Sequence, residues 1–426
     1  MSATTQTPET VAASAPPRKF PRLQVIVTSI AVLGSLLFIY LAPADEKTKF
    51  RFSLETEKYQ FPLWVVEART GAMIFGAISI LLALATWLTR KYKKTTFILV
   101  GLSMFSLLMA LFSWVAAGKP TIVPVTGLLQ GSVLLAVPLI FGAMSGVLSE
   151  RSGVININIE GQLLLGAFMA AVVASLAHNA YAGLLAAPLG GLFLGLLLAM
   201  FATKYFVDQV VVGVVLNVLA VGLTSFLYGV LLAPKQDQWN TPPVFQSINI
   251  PILSKIPFIG PIFFQQTIVV YIMYIVVIGV QFYLFHTRWG LRVRSVGEYP
   301  AAADSVGIKV NRTRFRTVLI ASAIAGLGGA YFTVGATGPF QKEMTSGKGF
   351  IALAAVIFGR WTPLGALGAA LLFGFADQLQ NVLSIIGTPI PSQFLLMAPY
   401  VITILAVAGL VGKVRAPGAD GIPFKK

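Results

Sequence analysis

Apolar segments of roughly spanning length recur about twelve times along this 426-residue chain, at 24–42, 71–89, 95–117, 125–148, 162–178, 183–203, 210–232, 264–285, 317–337, 348–359, 363–383 and 393–412. A helix needs about 20 residues to cross the hydrocarbon core of a bilayer. Lipid offers no partner to a bare peptide group, so each crossing segment must satisfy its own backbone. The fold class that follows is all-α, a polytopic transmembrane helix bundle whose tenth segment is too short to cross and reads as a short or re-entrant piece. Composition agrees, with 56% hydrophobic and 11% charged residues. Small residues spaced four apart, Gly191 with Gly195 and Ala366 with Ala370 and Gly374, mark faces where helices approach closely.

Lysine and arginine set the orientation. Of 31 such residues, 21 fall on one side: the start of the chain, residues 90–94, Arg151, Lys204, the stretch 286–316, Arg360 and the end of the chain. That side reads as cytoplasmic, and an even number of segments puts both termini there. The net charge of +16 is then anchoring to anionic membrane lipid at the inner leaflet. Nucleic acid is not an expected partner, because no basic stretch is interleaved with aromatics on a water-soluble domain. Residues 1–22 read as a disordered cytoplasmic tail, 23–120 as an N-terminal extension of about three transmembrane helices, 121–412 as the core and 413–426 as a second cytoplasmic tail. Ala42-Pro43-Ala44 has the small-x-small pattern of a signal-peptidase site, yet the preceding apolar run is long for a signal sequence, so the first span is read as uncleaved. The loop at 233–262, with Pro242, Pro243, Pro251, Pro257 and Pro261, is expected to be an ordered irregular lid.

Several chemistries are excluded. Without cysteine there are no disulfides, thiolate metal sites or cysteine nucleophiles, and two histidines leave little for a metal. A Walker A loop is absent: Ser346-Gly347-Lys348-Gly349 lacks the upstream glycine, and Gly409 to Val414 has the wrong spacing. The chain holds no catalytic constellation, so a conduit is favoured over an enzyme, with no metal and no cofactor of its own.

Residues 286–316 form a basic island between two apolar runs. Glu298 and Pro300 stand where a helix begins and Gly307 where one ends, which gives one to two helical turns parallel to the membrane, suited to a partner protein. Elsewhere, the polar residues in apolar surroundings are few. From Ser149 to Gly161 isoleucine alternates with asparagine before a carboxylate, a period that is not helical, and such backbone must be buried in protein or line water. Asn156, Asn158 and Glu160 there either face a translocation path or satisfy a broken backbone and a helix start. Asp208 caps a helix that carries Asn217 a little over two turns along, where it bonds a neighbouring helix or reads a ligand. Asp377 and Asn381 share a helical face near the end of the eleventh segment, at a solvated helix end or on the path. Phe350 offers a ring to a base or sugar, or packs.

Three separated stretches resemble the permease subunits of ATP-binding cassette (ABC) importers of the simple-sugar and nucleoside branch, a branched-chain-type permease family, and look closest to nucleoside permeases. They are Ser149 to Phe168, the island from Gly297 to Ile308, and Gly349 to Gly374. The resemblance spans roughly residues 125–412. It implies two permease subunits, identical or paralogous, two cassette ATPases beneath them that use the ATP, and an extracytoplasmic solute-binding protein, in the inner membrane of a prokaryote. It assigns Gly297, Glu298, Pro300, Ala303, Asp304, Gly307 and Ile308 to the segment that seats on the ATPase. Asn158 departs from the family pattern, where glycine is expected. Few charges in the spans argue for a neutral polar solute, a nucleoside or a simple sugar. An ion-coupled secondary carrier is the rival of another class, with Asp377 nearly its sole deep carboxylate.

Overall fold

The computed structural model describes residues 22–388 except 55, 56, 58 and 59, then 391, 393, 394, 397 and 415–425. The N-terminal tail before Arg22 and most of the twelfth segment lie outside the described residues. Ten helices among those described are long and apolar enough to cross a membrane, and Lys348–Phe358 is a shorter apolar helix. The chain is therefore a multi-pass, all-α membrane protein.

It divides into two compact units, one of residues 1–48 and 66–118, the other of 49–65 and 119–426. The first holds three helices, α1 (Arg22–Leu41), α2 (Ala68–Leu88) and α3 (Lys93–Val115). Hydroxyls join them: the Ser79 Oγ donates to the Ser103 carbonyl and the Ser103 Oγ to that of Ser79, both at 2.9 Å. Lipid gives apolar side chains no reason to cluster, so such pairs and close backbone approach hold the helices together. Leu33, Leu81, Leu88 and Phe97 point outward instead.

The second unit runs α4 (Val125–Glu150), α5 (Ile159–Ala177), α6 (Ala180–Thr203), α7 (Gln209–Leu227), α8 (Gln236–Trp239), α9 (Ile259–Phe264), α10 (Ile268–His286), α11 (Arg288–Glu298), α12 (Pro300–Ser305), α13 (Val310–Gly329), α14 (Lys348–Phe358) and α15 (Pro363–Ile386). Helix α4 is its axis, buried over nearly its whole length against α10, α13, α14 and α15. The small-residue seams are present. A Cβ on Gly191 of α6 would lie 2.1 Å from the Ser322 carbonyl oxygen of α13, and one on Gly374 of α15 would lie 2.6 Å from that of Ser132 in α4. Between α7 and α10 come a π-helical turn (Tyr228–Leu232) and the proline-rich loop, which is irregular apart from α8, a 3-10 turn at Leu253–Lys255, α9 and a two-residue antiparallel ladder of Ile248–Asn249 with Gln265–Gln266.

Two details differ from the sequence expectation. Helix α13 starts seven residues before the apolar run, so its first turns carry Arg312, Arg314 and Arg316. In the island, Glu298 closes α11 rather than opening a helix. Pro300 has no N–H to donate and disfavours helical backbone at the residue before it, so the break falls at Tyr299 (φ −147°, ψ 85°) and α12 starts at Pro300. Gly307 ends α12 in the left-handed region at φ 85°.

Candidate functional site

Two helices of the second unit begin inside the bundle and meet at one carboxylate. After α4 ends, residues 151–158 turn back alongside it without helical structure. Asn156 reaches the level of Ser145, its Nδ2 lying 3.3 Å from that hydroxyl, and α5 starts at Ile159 against Gly142 and Gly146. Side chains satisfy this backbone. The Ile155 N–H donates to Gln209 Oε1 at 2.8 Å; Asn217 Nδ2 donates to the Ile157 carbonyl at 2.9 Å, and Asn217 Oδ1 accepts from the Gly161 N–H at 2.8 Å. One asparagine of α7 thus holds both the extended segment and the first turn of α5. Asp208 makes that placement possible by capping α7, its Oδ1 accepting from Val210 and Val211.

The second return comes from the other direction. Past α13 the chain runs through a π-helical turn (Thr333–Thr337) and an irregular stretch to α14. Buried Asn240 holds Phe340, accepting its N–H at 2.6 Å and donating to its carbonyl at 3.0 Å, while the ring of Phe340 packs edge-on against Phe168. Glu343, Ser346 and Gly347 all have positive φ, a strained local path for the first two. It aims backbone N–H groups at Glu160. Glu160 Oε1 accepts from Thr345 Oγ1 at 2.7 Å and the Gly347 N–H at 2.8 Å; Oε2 accepts from the Gly349 N–H at 2.6 Å. A Cβ on Gly349 would sit 2.4 Å from the Glu160 nitrogen, so glycine is what allows the two helix starts to touch. Both N-termini carry partial positive charge, and the single carboxylate answers both.

Lys348, the first residue of α14, forms an ion pair with Asp377 of α15, with the side chains 21% and 15% exposed. Asp377 stands about 14 Å back from Ile386, the last residue of α15, at 1.5 Å per residue. Phe350 of α14 is half exposed, and Asn381, one turn beyond Asp377, is exposed. The sequence candidates therefore separate. Asn158, Glu160 and Asn217 gather at the start of α5, and Phe350 and Asp377 around α14. Asn156 belongs to a buried amide and hydroxyl network with Gln162, Ser145 and Ser322. Asn158 is fully buried, and its amide nitrogen and oxygen have no protein partner. Its backbone, φ −78° and ψ 11°, is open to any residue, so the missing glycine leaves the turn undisturbed. Lys348 and Thr345 were missed from sequence; the signal was a lysine at the head of an apolar run.

The pair has a testable signature. Lys348→Met leaves Asp377 as a lone carboxylate in a mostly buried place and is expected to cost about 2 kcal/mol after allowance for partial exposure. Lys348→Met with Asp377→Leu is expected to recover most of it, read as the thermal midpoint of the purified chain.

The far end of α14 leads to the basic end of the unit. Arg151 Nε donates to the Trp361 carbonyl at 2.7 Å, and Trp361 Nε1 donates to Glu150. The Arg151 carbonyl lies against Gly297 of α11, where a Cβ would be 2.1 Å away. Buried Arg314 of α13 donates from Nε to the Ser152 carbonyl at 3.1 Å and from Nη1 to that of Ile422 at 2.7 Å, while the Ala419 N–H donates to the Gly297 carbonyl at 2.9 Å. The C-terminal segment is thereby strapped across α11 and α13. Glu298, Pro300, Asp304, Gly307 and Ile308 are at least partly exposed on this end, whereas Ala303 packs inward with Val296 and Val310.

Burial pushes the Asp420 carboxyl of the strap up to about 7 from 3.8, with Arg314 pulling the other way and Glu150 close by. The docked form is thus the better proton binder. The contribution of Asp420 to docking is full below pH 3.8 and is lost as pH rises through about 7, because the free carboxyl ionises first. Tryptic cleavage at Arg415, measured relative to Asp420→Asn at each pH, is expected to accelerate over that window.

The second unit thus holds two helix starts that meet inside the bundle, an ion pair between α14 and α15 and a basic end. Residues 128–408 match the family described as branched-chain amino acid transport system / permease component, and the chain belongs to it. It is 41% identical over 313 residues to the guanosine ABC transporter permease protein NupQ of Bacillus subtilis, covering 70% of this chain and 96% of that one. It is 42% identical over 304 residues to the nucleoside ABC transporter permease protein NupC of Lactococcus lactis, covering 69% and 95%. To the putative glucose ABC transporter permease protein TsgC13 of Haloferax volcanii it is 33% identical over 260 residues, covering 60% and 77%. No solved structure matches the chain.

Proposed function

We propose that this chain is a permease subunit of an ABC importer that carries nucleosides into the cytoplasm. Two cassette ATPases beneath it hydrolyse the ATP, a second permease, identical or paralogous, completes the path, and an extracytoplasmic binding protein delivers the solute. The observation that carries the reading is the continuous strut from α11 through Arg151 and Trp361 to α14 and Glu160. In it, Gly297, Glu298, Pro300, Ala303, Asp304, Gly307 and Ile308 form the seat for the ATPase. A push on α11 and α12 is transmitted by packed helices, which shift between discrete arrangements rather than deform. The start of α14, with Phe350, Asp377, Asn381 and the Asn158, Glu160 and Asn217 cluster, then lines or gates the path. Asn158 keeps a free amide for a solute or water group when the cluster opens. A nucleoside fits an aromatic face with neighbouring amides.

The nucleoside assignment rests on relatives at 41% and 42% identity named for guanosine and nucleosides. A simple-sugar permease is the second reading, favoured by the 33% relative. An ion-coupled carrier is disfavoured because Asp377 is already neutralised by Lys348. Uptake of labelled guanosine by cells carrying the whole importer tests this: competition by unlabelled nucleosides and none by glucose is expected. Competition by sugars alone would select the second reading, and uptake abolished by a protonophore with ATP maintained would select the carrier.

A further inference from the structure

At the basic end, a cavity of about 560 Å³ opens between α10, α11, the turn after α12 and the first turns of α13. That is the size of a small-ligand pocket, which typically runs about 300–1,000 Å³. Its wall carries Arg292, Lys309, Arg312 and Arg316, and no carboxylate lines it. Lys309, Arg312 and Arg316 fall three and four residues apart at the head of α13, so they project on one face and repel one another, a repulsion that a bound anion would reverse. Among the described residues none of these four takes part in a salt bridge, and Arg292 lies over the Trp289 ring, 5.3 Å from its centroid.

The pocket also has an apolar exit. Ile320, one turn beyond Arg316, is 49% exposed, and Tyr283 of α10 lines the same wall. Beyond Tyr283, the outward residues Phe282, Ile278 and Ile275 of α10 continue the uncovered apolar surface. Cations at the mouth, an aromatic pair at the rim and exposed aliphatic side chains farther along the spanning helices match a phospholipid in sequence from headgroup to chain.

We propose that this pocket binds the phosphate of an anionic phospholipid in the adjoining leaflet, with Arg292, Lys309, Arg312 and Arg316 around the phosphate and the acyl chains against Ile320 and α10. Because Val306, Gly307 and Ile308 form part of the same wall, a bound headgroup braces the turn that ends α12. The site is thus a lipid cofactor position beside the docking segment, and its occupancy sets how firmly that segment is held.

The full chain, purified in a neutral detergent, is titrated with phosphatidylglycerol, phosphatidylcholine and inorganic phosphate while its thermal midpoint is followed. Phosphatidylglycerol is expected to act at concentrations about tenfold lower than phosphatidylcholine. Arg312→Gln with Arg316→Gln is expected to remove that preference while keeping the lipid-free midpoint, and Lys309→Gln serves the same comparison if the double variant does not fold. Equal action of the two lipids, or an unchanged preference in the variants, would overturn the proposal. Stabilisation by inorganic phosphate alone to the same extent would overturn the lipid assignment in favour of a free anion. Protection of the four cations from arginine and lysine reagents by the ATPase subunits, but not by lipid, would overturn it in favour of a protein partner.

Discussion

Glu160→Ala is expected to abolish uptake and to lower the stability of the second unit by about 3–5 kcal/mol, because three donors that share a charged acceptor are left facing each other in a buried place. Removing the side chain leaves the N–H groups at the start of α14, already routed through left-handed Ser346 and Gly347, without their acceptor. Glu160→Gln separates charge from shape. Its carbonyl oxygen still accepts from Thr345 and Gly347, but its amide then points N–H at the Gly349 N–H, at a cost of about 1–3 kcal/mol for the unsatisfied donors. The order expected in both thermal midpoint and uptake is wild type above Gln above Ala. Wild-type behaviour of Glu160→Ala would show that α14 is held by something other than this carboxylate.

Gly297→Val is expected to leave the chain in the membrane and to reduce uptake by at least about tenfold. A Cβ at 2.1 Å from the Arg151 carbonyl oxygen and 3.1 Å from the Gly153 nitrogen meets backbone on a tight turn, which yields only by moving α11; such overpacking costs about 1–3 kcal/mol. The displacement falls on the piece proposed to seat the ATPase and at the point where that piece meets Arg151 and, through it, Trp361. Glu298→Ala is the informative contrast. Glu298 is exposed and its contact to the Gly418 N–H is long at 3.4 Å, so its loss disturbs the fold little and any fall in uptake reports on docking. Full uptake in Gly297→Val with a normal ATPase complement would remove the strut from the account.

What could be read from sequence was whatever depends on neighbours along the chain. The spans followed from hydropathy, Asp208 from its place before an apolar run, a break in helix between Ser149 and Gly161, found at 151–158, from a period that does not suit a helix, and the end of α12 from Gly307. What could not be read depends on a partner far away in sequence. Glu160 was open between a translocation path and a charge for its own helix start, and its oxygens serve Thr345, Gly347 and Gly349, more than 180 residues on. Lys348 counted as one of the outer charges, and it is paired with Asp377 of α15. Glu298 and Pro300 looked like one helix start because both are N-terminal residues by preference; the restriction proline places on Tyr299 divides them between two helices. The C-terminal strap held by Arg314 gave no signal, since backbone carbonyls accept there and any sequence supplies them.

Purification of the tagged chain from its own host in mild detergent, with each stoichiometric partner identified by mass spectrometry, tests the importer assignment most directly. Recovery of a cassette ATPase together with a permease partner, both lost or depleted in Gly297→Val, is the predicted result. Recovery of the chain alone, from membranes that still take up solute under ion gradients without ATP, would contradict it.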